Sequence, residues 1–462
     1  MASTGHVMPA DAAAIRDVGS KLAGSPGKLI PVDWNGRRVT VMGLGRHGGG
    51  VAVARYLAQR GAEITISDTA DRETLNASLK QLSDVPIAEV KLGGHDPHDF
   101  TRAEFVVVNP AVRFDHPLLQ LARAAGATLT SEIEVFLRAC PAEIIGVTGS
   151  NGKSTTCSMI AEILSAAGRR TWLGGNIGRS LLKELAEIRA QDWVVLELSS
   201  FQLAHLSHDA PLPRLAVVTN CTPNHLDWHG EFSCYVQAKQ RLVCDAPAYA
   251  IVVLNAADAE VRGWRAPAAG NVRAGWASAR VPALRVPGEH NRKNAACAAA
   301  VAEAAGVDEA TICSALADFQ GLEHRLQWIG ELAGRRFYND SKSTTPDATL
   351  AALMALAGPV WLLAGGYAKG ASFDELARAV VGRTRGASLF GASRETIQAC
   401  IRAQRADFDV NSSEQLADAL AWCWARSQPG DSILLSPACA SYDQFRDFEA
   451  RGQTFCHLVE AL

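Results

Sequence analysis

A lysine and three hydroxyls set in a glycine-rich turn, Gly149-Ser150-Asn151-Gly152-Lys153-Ser154-Thr155 within GVTGSNGKSTT (residues 146–156), are the part of this chain best suited to chemistry. Residues 143–147 ahead of the turn are apolar enough for a buried strand, and 154–164 behind it carry apolar residues at helical spacing. Glycines there let successive backbone N–H groups turn toward one anion, while the helix N-terminus adds its dipole. Lys153 supplies a point charge and the Ser154 hydroxyl can ligate Mg²⁺, so nucleoside triphosphate chemistry is the first expectation. Gly146 stands one residue earlier than a strict GxxxxGKS/T pattern puts its first glycine, which makes the match a variant. Predicted strands 193–198 and 215–219 end in polar residues, Glu197 in one case and the run 220–225 in the other. Strand ends of a parallel sheet share one edge, so Glu197 and His225 are expected to face Lys153. One carboxylate and one hydroxyl suffice for a Mg²⁺ ion on nucleotide phosphates, a role open to Glu197 and Ser154. Lys239 falls on a predicted helix, 232–242, and spacing alone predicts a solvated or salt-bridged side chain there.

The elements that must hold these residues form an α/β chain of three domains. A polar extension (1–30) precedes a Rossmann-like N-terminal domain (31–141), a central P-loop ATPase-like domain (142–328) and a Rossmann-like C-terminal domain (329–462). The first domain opens on a strand at 37–42, a GLGRHGG turn with Gly43, Gly45 and Gly48, a helix at 51–59 and a strand at 63–67 that ends at Asp68. That layout suits a diphosphate, of NAD or of any other nucleotide. A strand at 104–108 then delivers Asn109 to the same edge. Strands at 337–339, 360–364 and 432–435 mark the third domain, and 256–287 reads as irregular or edge structure of the second. Charged residues make up 20% of the chain and the net charge is -3, which leaves no electrostatic footprint for nucleic acid. Eleven cysteines, an odd number without a CxxC pair, argue against disulfides and structural zinc and for a reducing cytoplasm. No membrane span is expected, since no apolar run approaches about 18 residues.

Several longer motifs resemble those of the Mur ligases, the ATP-dependent amide ligases of peptidoglycan synthesis. They are GVTGSNGKSTT, GGNIG (174–178), ELSSFQL (197–203), NHLDWH (224–229), GEHNRKNAA (288–296), HR (324–325), NDSKST (339–344) and LSPACASYDQFRDFEARG near the end. The last two are most similar to the branch that adds glutamate to UDP-N-acetylmuramoyl-L-alanine. The resemblance implies two steps: ATP phosphorylates the alanyl carboxylate, and the glutamate amine displaces phosphate from the acyl phosphate through a tetrahedral intermediate. It further implies that Lys153, His225 and Lys239 are catalytic and that Asn291, Asn294, Arg325 and Asp340 join the loop in holding ATP. Gly45, Arg46, His47, Asp68, Thr69 and Asn109 would hold the uridine diphosphate, and Asn176 with His225 would bracket the alanyl carboxylate. Lys342, Thr344, Lys369, Ser441 and Phe448 would hold glutamate. Mg²⁺, with Mn²⁺ as the alternative, would sit on Ser154 or Thr155 and Glu197. A second ion would sit on Glu197, His225 and Lys239, the lysine being carbamylated. A cytoplasmic monomer is implied.

This chain has NDSKSTT and GGYAKG where the family has NDSKATN and GGDGKG, and both departures touch the glutamate pocket. D-glutamate is the expected amino acid and L-glutamate the alternative. A folylpolyglutamate-type ligase is disfavoured by the GLGRHGG turn and the LSPACAS segment. An NAD-dependent oxidoreductase would leave Lys153 and the third domain without work. A non-catalytic nucleotide switch would not need Glu197, His225 and two pocket lysines together.

Overall fold

Runs such as LAVV at Leu215–Val218, IVVL at Ile251–Leu254 and SILL at Ser432–Leu435 are buried along their whole length. Strands of that kind belong in parallel sheets covered by helices on both faces. The computed structural model describes residues 32–45, 48–265, 271–368 and 372–462 and contains three such sheets. The extension at 1–30, Arg46, His47 and Lys369 lie outside the described residues.

The first sheet joins β1 (Arg38–Met42), β2 (Glu63–Asp68), β3 (Glu89–Leu92), β4 (Phe105–Val108) and β5 (Thr128–Thr130) in the order β3-β2-β1-β4-β5, all parallel. Its direction of winding reverses between β1 and β4, so the ligand crevice opens beyond Met42 and Val108. The second sheet holds β6 (Glu143–Thr148), β7 (Thr171–Gly175), β8 (Trp193–Glu197), β9 (Leu215–Val218), β10 (Ile251–Leu254) and β11 (Asn271–Ala274), ordered β11-β10-β9-β6-β8-β7 and parallel. β6 is central, with β8 and β9 on either side. The edge strand β11 falls in the stretch expected to be irregular or edge structure. In the third sheet β12 (Gln327–Leu332) runs antiparallel to β13 (Arg335–Asn339). β14 (Val360–Gly365), β15 (Thr384–Phe390), β16 (Val410–Ser412) and β17 (Ser432–Leu435) complete it, in the order β12-β13-β17-β14-β15-β16.

The first two sheets share one apolar core. It runs from Val39, Val41 and Leu57 through Ile133 and Phe136 of the Glu132–Ala139 helix to Leu196, Leu198 and Leu242. The two apolar layers of the third sheet begin at Leu326 and include no residue of the other two. The chain enters this third unit through His324 and Leu326, which take positive φ of 61° and 43°. Non-glycine residues adopt that conformation only at a cost in strain. No helix among the described residues is long and apolar enough to cross a membrane.

Gly146 lies inside β6 and not in the turn that follows, which corrects its reading as the first glycine of the phosphate loop. A Cβ there would come within 2.9 Å of the Pro213 ring and 3.2 Å of Leu198, so the position is glycine because of packing. Gly146→Ala is expected to cost about 1–3 kcal/mol through overpacking. Thermal unfolding should show a lowered midpoint while nucleotide affinity in the folded protein stays unchanged.

Candidate active site

The turn after β6 is built by its glycines and by the strand beside it. Gly149 has φ 151° and a Cβ there would lie 1.9 Å from Thr219 Oγ1; Gly152 has φ 79° and a Cβ there would lie 2.3 Å from Asn294 Oδ1. Both must lack a side chain for the turn to close on β9 and on the Glu289–Ala304 helix. Beneath it, Asn151 N donates to Asn220 Oδ1 at 2.8 Å, Thr219 Oγ1 donates to the Asn151 carbonyl at 2.6 Å, and Ser150 Oγ meets the Tyr235 hydroxyl at 2.8 Å. Asn220 comes from the strand-end run expected at this edge, while the support given by Thr219 and by Tyr235 of the Phe232–Cys244 helix follows no local pattern and comes from tertiary packing alone.

Lys153 opens the Lys153–Ala166 helix, and its ammonium donates to the carbonyls of Gly149 and Ser150 at 2.9 Å each. Lys239 donates to the same Gly149 carbonyl at 2.8 Å. Its side chain is 1% exposed, which overturns the expectation of a solvated or salt-bridged lysine. Burial, with the charge of Lys153 adding to it, pulls the Lys239 ammonium down to about 7, so a large neutral fraction exists near neutral pH. Lys153 is lowered too, by burial first, against the opposing charge of Glu197. Two ammonium groups on one carbonyl oxygen make a site that calls for anions.

Glu197, at the end of β8 and 2% exposed, is the carboxylate that faces them. Ser154 Oγ donates to its Oε2 at 2.6 Å and Asn176 Nδ2 to its Oε1 at 2.8 Å. A hydroxyl on a carboxylate at a phosphate turn is an oxygen donor set that fits Mg²⁺. Among the described residues no three His, Cys, Asp or Glu side chains gather as a metal cage. His225 begins the short Leu226–His229 helix with φ 53°, solvent-exposed, its ring 4.8 Å from that of Phe201. Partial desolvation of the ring lowers its pKa, and Lys153 and Lys239 push the same way against Asp227.

Ser150 to Thr155, Asn176 and Glu197 form one wall of a cleft of about 920 Å³ between the second and third sheets, whereas Lys239 and His225 lie outside its lining. Asn291, Asn294, Arg325, Asp340 and Lys342 line it as well. Asn176 therefore belongs to this cleft and not to the pocket of the first domain. Asp340 does more than line it: Leu326 N donates to its Oδ1 at 2.9 Å and Ser436 Oγ to its Oδ2 at 2.7 Å, which pins the linker beside Arg325. Burial raises the Asp340 carboxyl to about 6. Lys342 Nζ sits 5.4 Å from the Phe448 ring centre, and Ser441 is buried nearby in sequence, while Thr344 is half-buried outside the cleft.

A second cavity, about 780 Å³, opens at the β1/β4 crevice and is lined by Gly45, Asp68, Thr69 and Asn109 as expected, and also by His95, Arg113 and His116. Asp68 Oδ2 accepts from Gly45 N at 3.1 Å and Asn109 Nδ2 donates to the Gly43 carbonyl at 3.0 Å, so both side chains shape the glycine turn. The wall at 111–113 is bonded to the second domain. Arg113 Nη1 donates to the Trp228 carbonyl at 2.6 Å, Trp228 Nε1 to the Ala111 carbonyl at 3.1 Å and His205 Nε2 to the Val112 carbonyl at 2.7 Å.

Family models agree with this division. Residues 37–131 match the Mur ligase MurD-like N-terminal domain, 147–279 the Mur ligase middle domain and 324–439 the Mur ligase glutamate ligase domain. The chain is 38% identical to a UDP-N-acetylmuramoylalanine--D-glutamate ligase of Roseiflexus sp. (strain RS-1), over 92% of this chain and 99% of that one. It is 37% identical to the ligase of the same name from Symbiobacterium thermophilum, over 92% and 98%. Among solved structures it is similar in fold to the UDP-N-acetylmuramate-alanine ligase MurC of Thermotoga maritima, with TM-score 0.52, 19% identity and coverage of 92% and 99%.

Lys153→Ala should lower turnover by about 10²-fold or more, as loss of one charge-stabilising donor does. Steady-state phosphate release by the folded variant measures it; near-normal turnover would remove Lys153 from the site.

Proposed function

The chain belongs to the Mur ligase family, and from that premise we propose that it carries out the ATP-dependent ligation of D-glutamate to UDP-N-acetylmuramoyl-L-alanine in peptidoglycan precursor synthesis. The observation that carries the reading is the cleft in which the phosphate turn and Glu197 meet Arg325, Asp340 and Lys342 of a separate domain. Such a cleft suits two reactants that arrive from different domains and react between them.

The γ-phosphoryl group of ATP passes to the alanyl carboxylate, giving an acyl phosphate and ADP. Attack by the amine of glutamate forms a tetrahedral intermediate, which expels phosphate and leaves the amide. The backbone N–H groups of residues 149–155 and the Lys153 ammonium hold the phosphates and oppose the charge that builds on them. Asn291, Asn294 and Arg325 seat the nucleotide, and Asn176 and His225 orient the alanyl carboxylate. The uridine diphosphate occupies the β1/β4 crevice at Gly45, Asp68, Thr69 and Asn109, together with Arg46 and His47. Lys342, Lys369, Thr344, Ser441 and Phe448 hold the glutamate, whose two carboxylates suit cationic partners. Ser154 and Glu197 would hold Mg²⁺, or Mn²⁺ in its place, and the ion supplies charge neutralisation on the phosphoryl oxygens. Glu197, His225 and Lys239 would hold a second ion, with Lys239 carbamylated.

That modification needs an uncharged amine, and a buried lysine brought down to about 7 offers one. Lys239→Ala should lose activity that short added carboxylates partly restore. Absence of rescue, with an unmodified Lys239 mass in the native protein, would favour a purely structural lysine.

Phosphate release from ATP, measured with UDP-N-acetylmuramoyl-L-alanine and each glutamate enantiomer in turn, tests the whole reading. It should depend on D-glutamate. A preference for L-glutamate would overturn the stereochemical assignment and leave the ligase chemistry standing.

A further inference from the structure

The largest fully buried side chain among the described residues is a charged one, Arg451 on the Phe448–Glu460 helix. Burial lowers its pKa only to about 10, so the guanidinium remains charged near neutral pH. Its hydrogen bonds go to neutral acceptors. Nε donates to Ser341 Oγ at 3.0 Å, Nη2 to the Ser341 carbonyl at 2.8 Å and Nη1 to the Cys439 carbonyl at 3.1 Å. No carboxylate forms an ion pair with it among the described residues; Asp443 acts on it only through space. A buried charge left unneutralised is costly and calls for a reason.

The acceptors show what the group joins. Ser341 precedes Lys342 in the loop after β13, and Cys439 stands two residues before Ser441 in the loop after β17. The loop after β14 is hydrogen-bonded to the loop after β17, Tyr367 N donating to the Ala440 carbonyl at 2.9 Å, and passes close enough to the guanidinium that a Cβ on Gly366 would lie 3.2 Å from Nη1. The three strands are neighbours in the order β13-β17-β14, so their loops leave one edge of the sheet side by side. Ser341 Oγ also donates to the Phe448 carbonyl at 2.8 Å, which ties the first turn of the Arg451 helix to the same point. A planar fork with five donors can bridge two loops in this way, and a lysine ammonium cannot.

We propose that Arg451 is the positioning residue of the amino-acid seat: it sets the spacing of Lys342 and Ser441 and lends the seat a positive charge that a dicarboxylate neutralises. The inference rests on the assignment of these loops to glutamate. Steady-state kinetics of the full chain test it, with Arg451→Lys and Ser341→Ala compared with the unmodified protein. Arg451→Lys should raise the KM for D-glutamate by about tenfold or more, with the KM for ATP and for UDP-N-acetylmuramoyl-L-alanine within about twofold. Ser341→Ala, which removes one acceptor and leaves the guanidinium in place, should move the same constant in the same direction by less. Equal increases in all three constants, or a lower thermal midpoint with unchanged KM values, would reduce Arg451 to a structural role. Should Arg451→Lys fail to fold, Ser341→Ala decides alone, and an unaltered KM for glutamate overturns the proposal. An unmodified protein that ligates no glutamate would remove the pocket assignment and this inference with it; normal glutamate use with an indifferent Arg451→Lys would remove only the inference.

Discussion

A carboxylate cannot be taken out of water without compensation, and the centre of this protein is arranged around that constraint at Glu197. Both its oxygens accept hydrogen bonds, from Ser154 and Asn176, and two ammonium groups face it from Lys153 and Lys239. Two lysines meet the one carboxylate, and both are folded back onto the Gly149 carbonyl. Phosphate oxygens are better partners for them than a carbonyl is. The burial of Glu197, the depressed pKa of Lys239 and the shape of the turn are therefore one electrostatic arrangement. None of its members is comfortable alone.

Topology delivers the groups to that point. β6, β8 and β9 are adjacent and parallel, so the turn, Glu197 and Asn220 leave the sheet at one edge. The same rule acts in the first sheet, where Asp68 and Asn109 close on the glycine turn at the β1/β4 crevice. In the third sheet it sets the loops that carry Lys342 and Ser441 next to each other. The hydrogen bonds from Arg113, Trp228 and His205 across the first two domains hold the wall of one pocket against the segment of His225.

Residues whose chemistry acts over a few positions were legible in the sequence. The phosphate turn, the strand-end Glu197 and the β1 glycine turn followed from local spacing, because a strand, a tight turn and a helix N-terminus suffice to define each. Lys239 was not legible. Its helix carries Gln237, Gln240 and Arg241 around it, a solvated pattern, and what buries it is a turn 90 residues away. Gly146 was misassigned for the same reason, since Pro213 and Leu198 dictate it from outside its own segment. Arg451 reads in sequence as one more charged residue on a polar helix. Its acceptors come from loops 12 and 110 positions away, and only the closed sheet reveals them. His95, Arg113 and His116 likewise carry no pattern until β3, β4 and their loops meet at one pocket.

The continuous apolar core beneath the first two sheets, set beside the separate layers of the third, bears on how such a chain can diversify. A substitution at Leu196, Leu198 or Leu242 is felt beside Val39 and Val41 of the first sheet, because one cluster of side chains supports both. Changes behind Lys342 or Ser441 fall in layers of their own, which meet the second unit at the strained linker of His324 and Leu326 and where Arg285 lies 5.2 Å from the Trp328 ring centre. Residues of NDSKSTT and GGYAKG can thereby be repacked apart from the core that joins the first two sheets.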